Sequence, residues 1–462
     1  MSAPNALSFL KHASDTASDT EMQRKLAWNI GKYADTVKKG KLQYASRETA
    51  SQRAKNIKWK AIANLDKLLV EFESKFTKRG GKVLWANDAE EALLEIEKIC
   101  KRVQAKSIVK SKSMTTEEVH LNKFLEKIGV ESVETDLGEY IQQLDGQPPF
   151  HIVTPAMHKS KEDVAKVFHE HLGTPLTLTP EEMTMVAREK LRQKYVTADI
   201  GITGGNFLLA DIGGVLVLEN EGNARLSVTF PKIHIAIVGI EKMLPSVNDL
   251  SLFLPLLSTY GTGQQITVYN SIYTGPRQEN EVDGPEEMYV ILLDNGRTNL
   301  LAEPEQREAL YCIRCGACLN ACPVYKNIGG FAYESTYTGP IGSVITPHLS
   351  GMKEFKHLSN ASSLCGACTE VCPMKINLHT LLVTNRRDAV KEGAYNSSEK
   401  FGWLVWKRAM LSRRLMNMGG AGMKNYFIGK LFKSTWGRNR EMPVVVKKSF
   451  NQLWKERRGS AQ

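Results

Sequence analysis

The sequence predicts an α/β domain with a parallel sheet, followed by a smaller cysteine-bearing domain. Two observations carry this. Strand-like and helix-like segments alternate from residue 82 onward in a β-α-β-α-β order, which is the pattern of a sheet covered by helices. Seven of the eight cysteines then fall between Cys312 and Cys372, leaving only Cys100 outside. Hydrophobic residues make up 42% of the 462 positions and charged residues 24%, so a sizeable core is available and disorder as the main state is excluded. No apolar run reaches the ~18 residues of a membrane span. The start, 1–15, lacks a basic secretory pattern. The expectation is a cytoplasmic protein with reduced thiols.

The elements follow in order. Residues 1–50 read as a helical N-terminal extension. In 51–79, Ile57, Ile62, Leu65, Leu68, Leu69 and Phe72 recur at helical spacing, and Gly80 and Gly81 end the run. Residues 82–86 read as a strand, and Asn87 or Asp88 as the cap of a helix over 89–103. A strand at 107–110, a helix at 115–128 ended by Gly129, and a strand at 130–135 continue the alternation. Beyond it, 151–154 reads as a strand and 161–171 and 181–195 as helices. Short β-rich pieces follow at 199–203, 207–210, 215–219, 233–239, 266–273 and 288–293. The α/β domain is thus placed at 51–300. A helix over 303–310 leads into the cysteine region, placed at 301–390, and 391–462 forms a C-terminal region.

The first cysteine run is Cys312, Cys315, Cys318 and Cys322, followed by Pro323. This is C-x2-C-x2-C-x3-C-P, the spacing of bacterial two-cluster ferredoxins. Three close thiolates can wrap three corners of a cubane, and the fourth reaches a second cluster. Gly316 permits a tight turn near sulfide, and Pro323 leads the chain away from the loop. The second run, Cys365, Cys368 and Cys372 with Pro373, matches the first except at Ser362, where a fourth cysteine would stand. Crossover logic assigns Cys312, Cys315, Cys318 and Cys372 to cluster 1, a [4Fe–4S] centre, and Cys322, Cys365 and Cys368 to cluster 2. Cluster 2 is one thiolate short. It is either [3Fe–4S] or [4Fe–4S] with serine, water or a partner's residue on the fourth iron. Zinc sites favour paired C-x2-C knuckles, a poor match. Cys100, late in a helix, reads as a small buried hydrophobe.

With these runs in view, the chain resembles the LutB-type lactate-utilisation iron–sulfur proteins. The resemblance includes "KSKSMTTEEVHLNKFLEKIGVESVETDLGEYI" at 110–141, "ADIGITGGNFLLADIGG" at 198–214 and "ENEGNARLSVTFPKIHI" at 219–235. "VDGPEE" at 282–287, "IRCGACLNACPVY" and "ASSLCGACTEVCP" extend it. It implies a LUD domain akin to CoA-transferases and sugar-phosphate isomerases, then an α-helical two-cluster ferredoxin domain. It also implies electron transport in L-lactate oxidation to pyruvate, beside two companion subunits, and serine is usual at the position of Ser362. The sequence names no electron acceptor.

The residues fit a carrier. Neither a G-x-G-x-x-G opening a helix after the first strand nor a Walker-type loop is present. Lactate gives up two electrons, formally as hydride and proton, whereas iron–sulfur clusters accept electrons singly. The chain therefore reads as a relay within a lactate dehydrogenase complex rather than as the catalyst. The alternative is a self-contained iron–sulfur lactate dehydrogenase with its substrate site in the LUD domain. A second alternative is an iron–sulfur nucleic-acid-binding protein.

In the α/β domain, residues 110–114 read either as an anion-binding turn or as a solvated loop. Residues 203–206 with Asp211, and Glu219, Glu221 and Asn223, form polar clusters at strand ends. Since CoA-transferases use a glutamate nucleophile in this fold, Glu221 is the catalytic candidate, against hairpin turns with polar tips. His151, His158 and His234 read as ordinary histidines, not ligands. The net charge of +11 belongs to the tail: 401–462 holds 14 Lys/Arg against two Asp/Glu, leaving 47 against 48 elsewhere. Trp403, Trp406, Trp436 and Trp454 lie there as well. The basic residues of 401–416 do not segregate to one helical face, which argues against a simple lipid-lying helix. Docking to acidic partner subunits fits better, peripheral membrane contact stays open, and nucleic acid is the least favoured partner.

Overall fold

The computed structural model describes residues 6–433 and 441–459. Ten strands occur among them: β1 (Lys82–Ala86), β2 (Ser107–Lys110), β3 (Glu131–Glu134), β4 (Ile200–Thr203), β5 (Phe207–Leu209), β6 (Gly214–Glu219), β7 (Ile233–Gly239), β8 (Met243–Leu244), β9 (Tyr269–Tyr273) and β10 (Glu287–Leu293). Six form a parallel sheet in the order β1-β10-β7-β4-β2-β3, and four form a second sheet, β8-β5-β6-β9. The chain is thus an α/β region with a parallel sheet followed by a mainly helical region bearing the cysteines.

Strand composition explains the layers. Every residue of β7 is buried, as expected of a parallel strand covered on both faces. Its side chains alternate. Ile233, Ile235 and Ile237 join Ile96, Leu121 and Leu125 on one face, while Ala236 and Val238 join Phe72 and Phe76 on the other. Asp88 caps the helix Ala89–Val103 by accepting from Glu91 N at 2.9 Å, and Cys100 is buried within that helix.

The second sheet joins the two regions. Leu208, Val215 and Val217 face the parallel sheet's core, whereas Phe207, Leu209 and Leu216 pack with Phe253, Leu319 and Tyr325 beside the cysteines. The N-terminal helices Ala6–Ser18 and Thr20–Gly40 also pack on the cysteine region. Phe9 meets Tyr333 edge-on at 6.1 Å, and Gln23 donates to Asn327 O at 2.6 Å.

Four local expectations change. The helix expected over 51–79 is two, Arg47–Ala63 and Leu65–Lys78. Asn64 turns its amide back onto Lys60 O at 2.9 Å, the competition with the backbone that this residue type offers. The helix expected over 115–128 splits into Met114–Glu118 and Leu121–Lys127, because His120 is left-handed at φ 53°. Residues 151–154 form no strand. His151 Nδ1 accepts from the amides of Val153 at 3.1 Å and Thr154 at 3.3 Å, donors that a ladder would need. The lead-in to the cysteines is a 3-10 helix, Gln306–Tyr311.

One compact unit runs to Ala394 and a second begins at Tyr395. The second contains the helices Ser397–Leu411, Arg413–Asn417, Gly420–Leu431 and Phe450–Gly459. Neither Ser397–Leu411 nor Gly420–Leu431 buries a residue. Trp403, Trp406 and Trp454 are exposed. Trp436 lies outside the described residues. Among the described residues, no helix is long and apolar enough to cross a membrane.

Candidate metal centre

The first run folds as its residue types require. Arg314 and Gly316 are left-handed at φ 61° and 78°. The chain thereby doubles back between Cys312 and the helix Ala317–Ala321, which carries Cys318. Pro323 opens the next helix, Pro323–Ile328, as a first-turn proline can. Cys322 caps that helix, its Sγ accepting from Tyr325 N at 3.5 Å.

This turn and the second run enclose one cavity. Cys312, Cys315, Cys318 and Cys372 line it, with Ile341, Met374, Ile376 and Leu378 supplying apolar walls. Burial pushes the Cys315 and Cys318 thiols up, and Cys312 raises both further. Burial pushes Cys372 up to about 12, again with Cys312 adding to it. The other three cysteines form a separate neighbourhood. Burial and then Cys322 raise Cys368 to about 11, with a further contribution from Cys365. Cys365 is exposed, while Cys322 and Cys368 are buried. Cys318 lies within one short helix and Cys322 just after it, so these two members of the groups are about 6 Å apart in rise along its axis.

A buried charged layer adjoins Cys312. Arg297 pairs with Glu118 (Nη2–Oε2 2.8 Å) and with Glu241, and Arg314 reaches Glu241 at 3.4 Å. Lys58 Nζ donates to the carbonyls of Glu241 and Met243, and Lys242 lies buried in the same layer. Two arginines and two lysines thus share this layer with two carboxylates. Against the upward push of burial, Arg297 and Arg314 hold Glu241 down at about 2. Burial depresses Lys58 to about 7 and, with Arg314, Lys242 to about 8. Among the described residues, Arg314 Nε and Nη1 have no hydrogen-bond partner. Excess buried cation beside a ring of thiols is the environment an anionic thiolate-bound cluster would complete. The residues therefore fit the group.

Sequence reasoning missed this layer. Lys58 looks like a solvated position in "KNIKWK". Glu241 and Lys242 carried a usable signal, since they directly follow the buried run of β7 at the carboxyl end of a parallel strand.

The polar clusters of the α/β region resolve differently. The loops after β2 and β4 meet where strand order reverses, and a Cβ at Gly204 would stand 2.4 Å from Ser113 Oγ. Lys110 is not presented to the loop. It is fully buried, 2.7 Å from Glu134, 3.2 Å from Glu117 and 3.9 Å from Glu139. Its ammonium fills the one carboxylate cluster with metal-like spacing among the described residues. Burial and then Glu134 push Glu139 well up. Asn206 Oδ1 accepts from Leu218 N at 2.8 Å, Asp211 from Val247 N at 3.1 Å, and Glu219 from Ala224 N at 2.6 Å. Those side chains hold loops. Asn223 is buried at the start of the helix Asn223–Thr229. Glu221 is exposed, yet its Oε2 accepts from Leu137 N at 3.2 Å, and crowding by neighbouring atoms followed by Asp136 raises its carboxyl to about 7. His151, His158 and His234 are all buried, and burial lowers each to about 3.

Comparison with known proteins adds the family. Residues 69–293 match the LUD domain and residues 308–376 match the 4Fe-4S dicluster domain. The chain is 43% identical over 411 residues to lactate utilization protein B of Bacillus cereus (strain AH820), covering 87% of this chain and 86% of that one. The same figures hold for lactate utilization protein B of Bacillus anthracis (strain A0248). Among solved structures, a DUF162 family protein from Deinococcus radiodurans matches with a TM-score of 0.29 and 12% identity, over 50% of this chain and 98% of that one.

Proposed function

The chain belongs to the lactate utilization protein B family, and on that premise we propose that it is the electron-transfer subunit of an assembly that oxidises L-lactate to pyruvate. It is a LutB-like lactate-utilisation iron–sulfur protein, and its dicluster domain implies two clusters. In the proposal Cys312, Cys315, Cys318 and Cys372 hold the first, a [4Fe–4S] centre, and Cys322, Cys365 and Cys368 hold the second. One observation carries the relay reading. A thiol group walled by apolar side chains and a thiol group reaching the surface at Cys365 are joined by one short helix.

When bound, each cluster supplies a one-electron site, so two match the two electrons that lactate releases with two protons. The chain's own residues do the rest. Ile341, Met374, Ile376 and Leu378 exclude water from the inner group. The helix Ala317–Ala321 fixes the spacing between groups. Lactate chemistry belongs to companion subunits, and the basic, tryptophan-bearing tail suits docking to acidic surfaces on them.

A second reading places the lactate site in the LUD domain. Glu221 supports it, because a carboxyl held up to about 7 could take the proton of a hydroxy acid. One experiment separates the two. The chain, purified anaerobically and free of partners, is mixed with L-lactate while visible absorbance and EPR are recorded. The relay reading expects no change with lactate and full reduction by dithionite. Bleaching by lactate alone would overturn it.

A further inference from the structure

The two cysteine runs repeat in backbone as well as in sequence. In the first, Arg314 and Gly316 are left-handed at φ 61° and 78°; in the second, Leu364 and Gly366 are left-handed at 54° and 83°. Each turn leads into a short helix, Ala317–Ala321 and Ala367–Glu370. Cys312 opens the first turn, and its Sγ accepts from Arg314 N, two residues on, at 3.4 Å. Ser362 opens the second, and its Oγ accepts from Leu364 N, two residues on, at 3.1 Å. The hydroxyl thus makes the same contact as the thiol of a residue placed to bind a cluster. A non-glycine residue in the left-handed region is costly. Keeping one at both Arg314 and Leu364 preserves a fold-back that brings the side chain two positions earlier to the mouth of the loop. Cys365, in the same loop, is exposed.

We propose that Ser362 Oγ is the fourth protein ligand of the second cluster, which is therefore a [4Fe–4S] centre with one oxygen-bound iron. This rests on the reading that Cys322, Cys365 and Cys368 supply the other three ligands. Binding forms an Oγ–Fe bond and breaks the Oγ–H bond. The proton passes to solvent, the iron gives up a water, and no electron is transferred. A hard oxygen donor makes that iron distinct from its thiolate-bound neighbours.

The test compares anaerobically reconstituted full-length wild type with Ser362→Ala, Ser362→Cys and Ser363→Ala. Iron and sulfide content is measured first. Two clusters in wild type and one in Cys368→Ala uphold the underlying reading. One cluster in wild type would sink that reading before the serine is considered. Mössbauer and EPR spectra are then recorded before and after brief ferricyanide oxidation, and pulsed EPR in isotope-labelled water detects solvent oxygen on iron. Wild type and Ser363→Ala should share one differentiated iron, free of solvent-oxygen coupling and resistant to oxidation. Ser362→Ala should lose that iron on oxidation and give a [3Fe–4S] signal, while Ser362→Cys should keep four irons with a sulfur-like spectrum. Solvent-oxygen coupling in wild type, or a Ser362→Ala spectrum identical to wild type, would overturn the assignment.

Discussion

His234, the second residue of β7, has none of its surface exposed, its Nε2 2.9 Å from Thr203 Oγ1 and its Nδ1 without a hydrogen-bond partner among the described residues. Burial holds the imidazole down to about 3, whereas an unfolded histidine takes its proton near 6.5. Between those values the unfolded chain binds the extra proton, so stability is complete above about 6.5 and falls as pH drops toward 3. The slope approaches ~1.4 kcal/mol per pH unit for one such group. Urea titrations at pH 7, 6 and 5 should therefore show a shallower acid loss in His234→Gln than in wild type. Equal slopes would refute the assignment. At this scale the sequence was uneven. The dicluster domain was legible because cluster chemistry imposes a spacing on neighbouring cysteines. Lys58, Arg297 and Glu118 were not, since the partners that tie them into the layer lie 56 to 185 positions away and no local pattern marks them.

The elements were read best where a short apolar stretch lies between turn residues. β1, β2 and β7 have the bounds expected of them, 82–86, 107–110 and 233–239. The reading failed where a side chain takes over a backbone group, as Asn64 and His151 do. Close packing of one element on another adds constraints that composition hides. At Gly201 in β4, a Cβ would sit 1.7 Å from Ser227 O in the helix Asn223–Thr229. Backbone cannot yield as a flexible side chain can, so Gly201→Ala should cost about 2–3 kcal/mol, the upper range of overpacking. Gly31, in the middle of the helix Thr20–Gly40, meets nothing within 4 Å. There the same substitution should add about 0.5–1 kcal/mol through helix propensity. Denaturant midpoints moving in opposite directions would bear out both, and a neutral Gly201→Ala would contradict the contact.

At the scale of the whole molecule, the helix Arg47–Ala63 ties the two regions together. Lys55 reaches Glu308 at 2.6 Å and Lys375 O at 3.0 Å, while Lys58 crosses to the end of β7. The α/β region thereby supplies Lys58, Lys242 and Arg297 to the layer beside Cys312, joining Arg314 from the cysteine loop. Reduction adds one negative charge to a cluster, so nearby buried cations favour the reduced form. One unit charge roughly 8 Å away at an effective dielectric of about 20 is worth about 2 kcal/mol. That corresponds to about 80–90 mV for a one-electron couple. Lys58→Met and Lys242→Met, which keep volume while removing charge, should each lower the potential of the inner cluster by several tens of millivolts. The outer cluster, proposed at Cys365, should hold its value, as should both clusters in the surface control Lys98→Met. Potentiometric titration followed by EPR reads these shifts. An unchanged inner potential in both lysine variants would mean that the layer serves only to join the two regions.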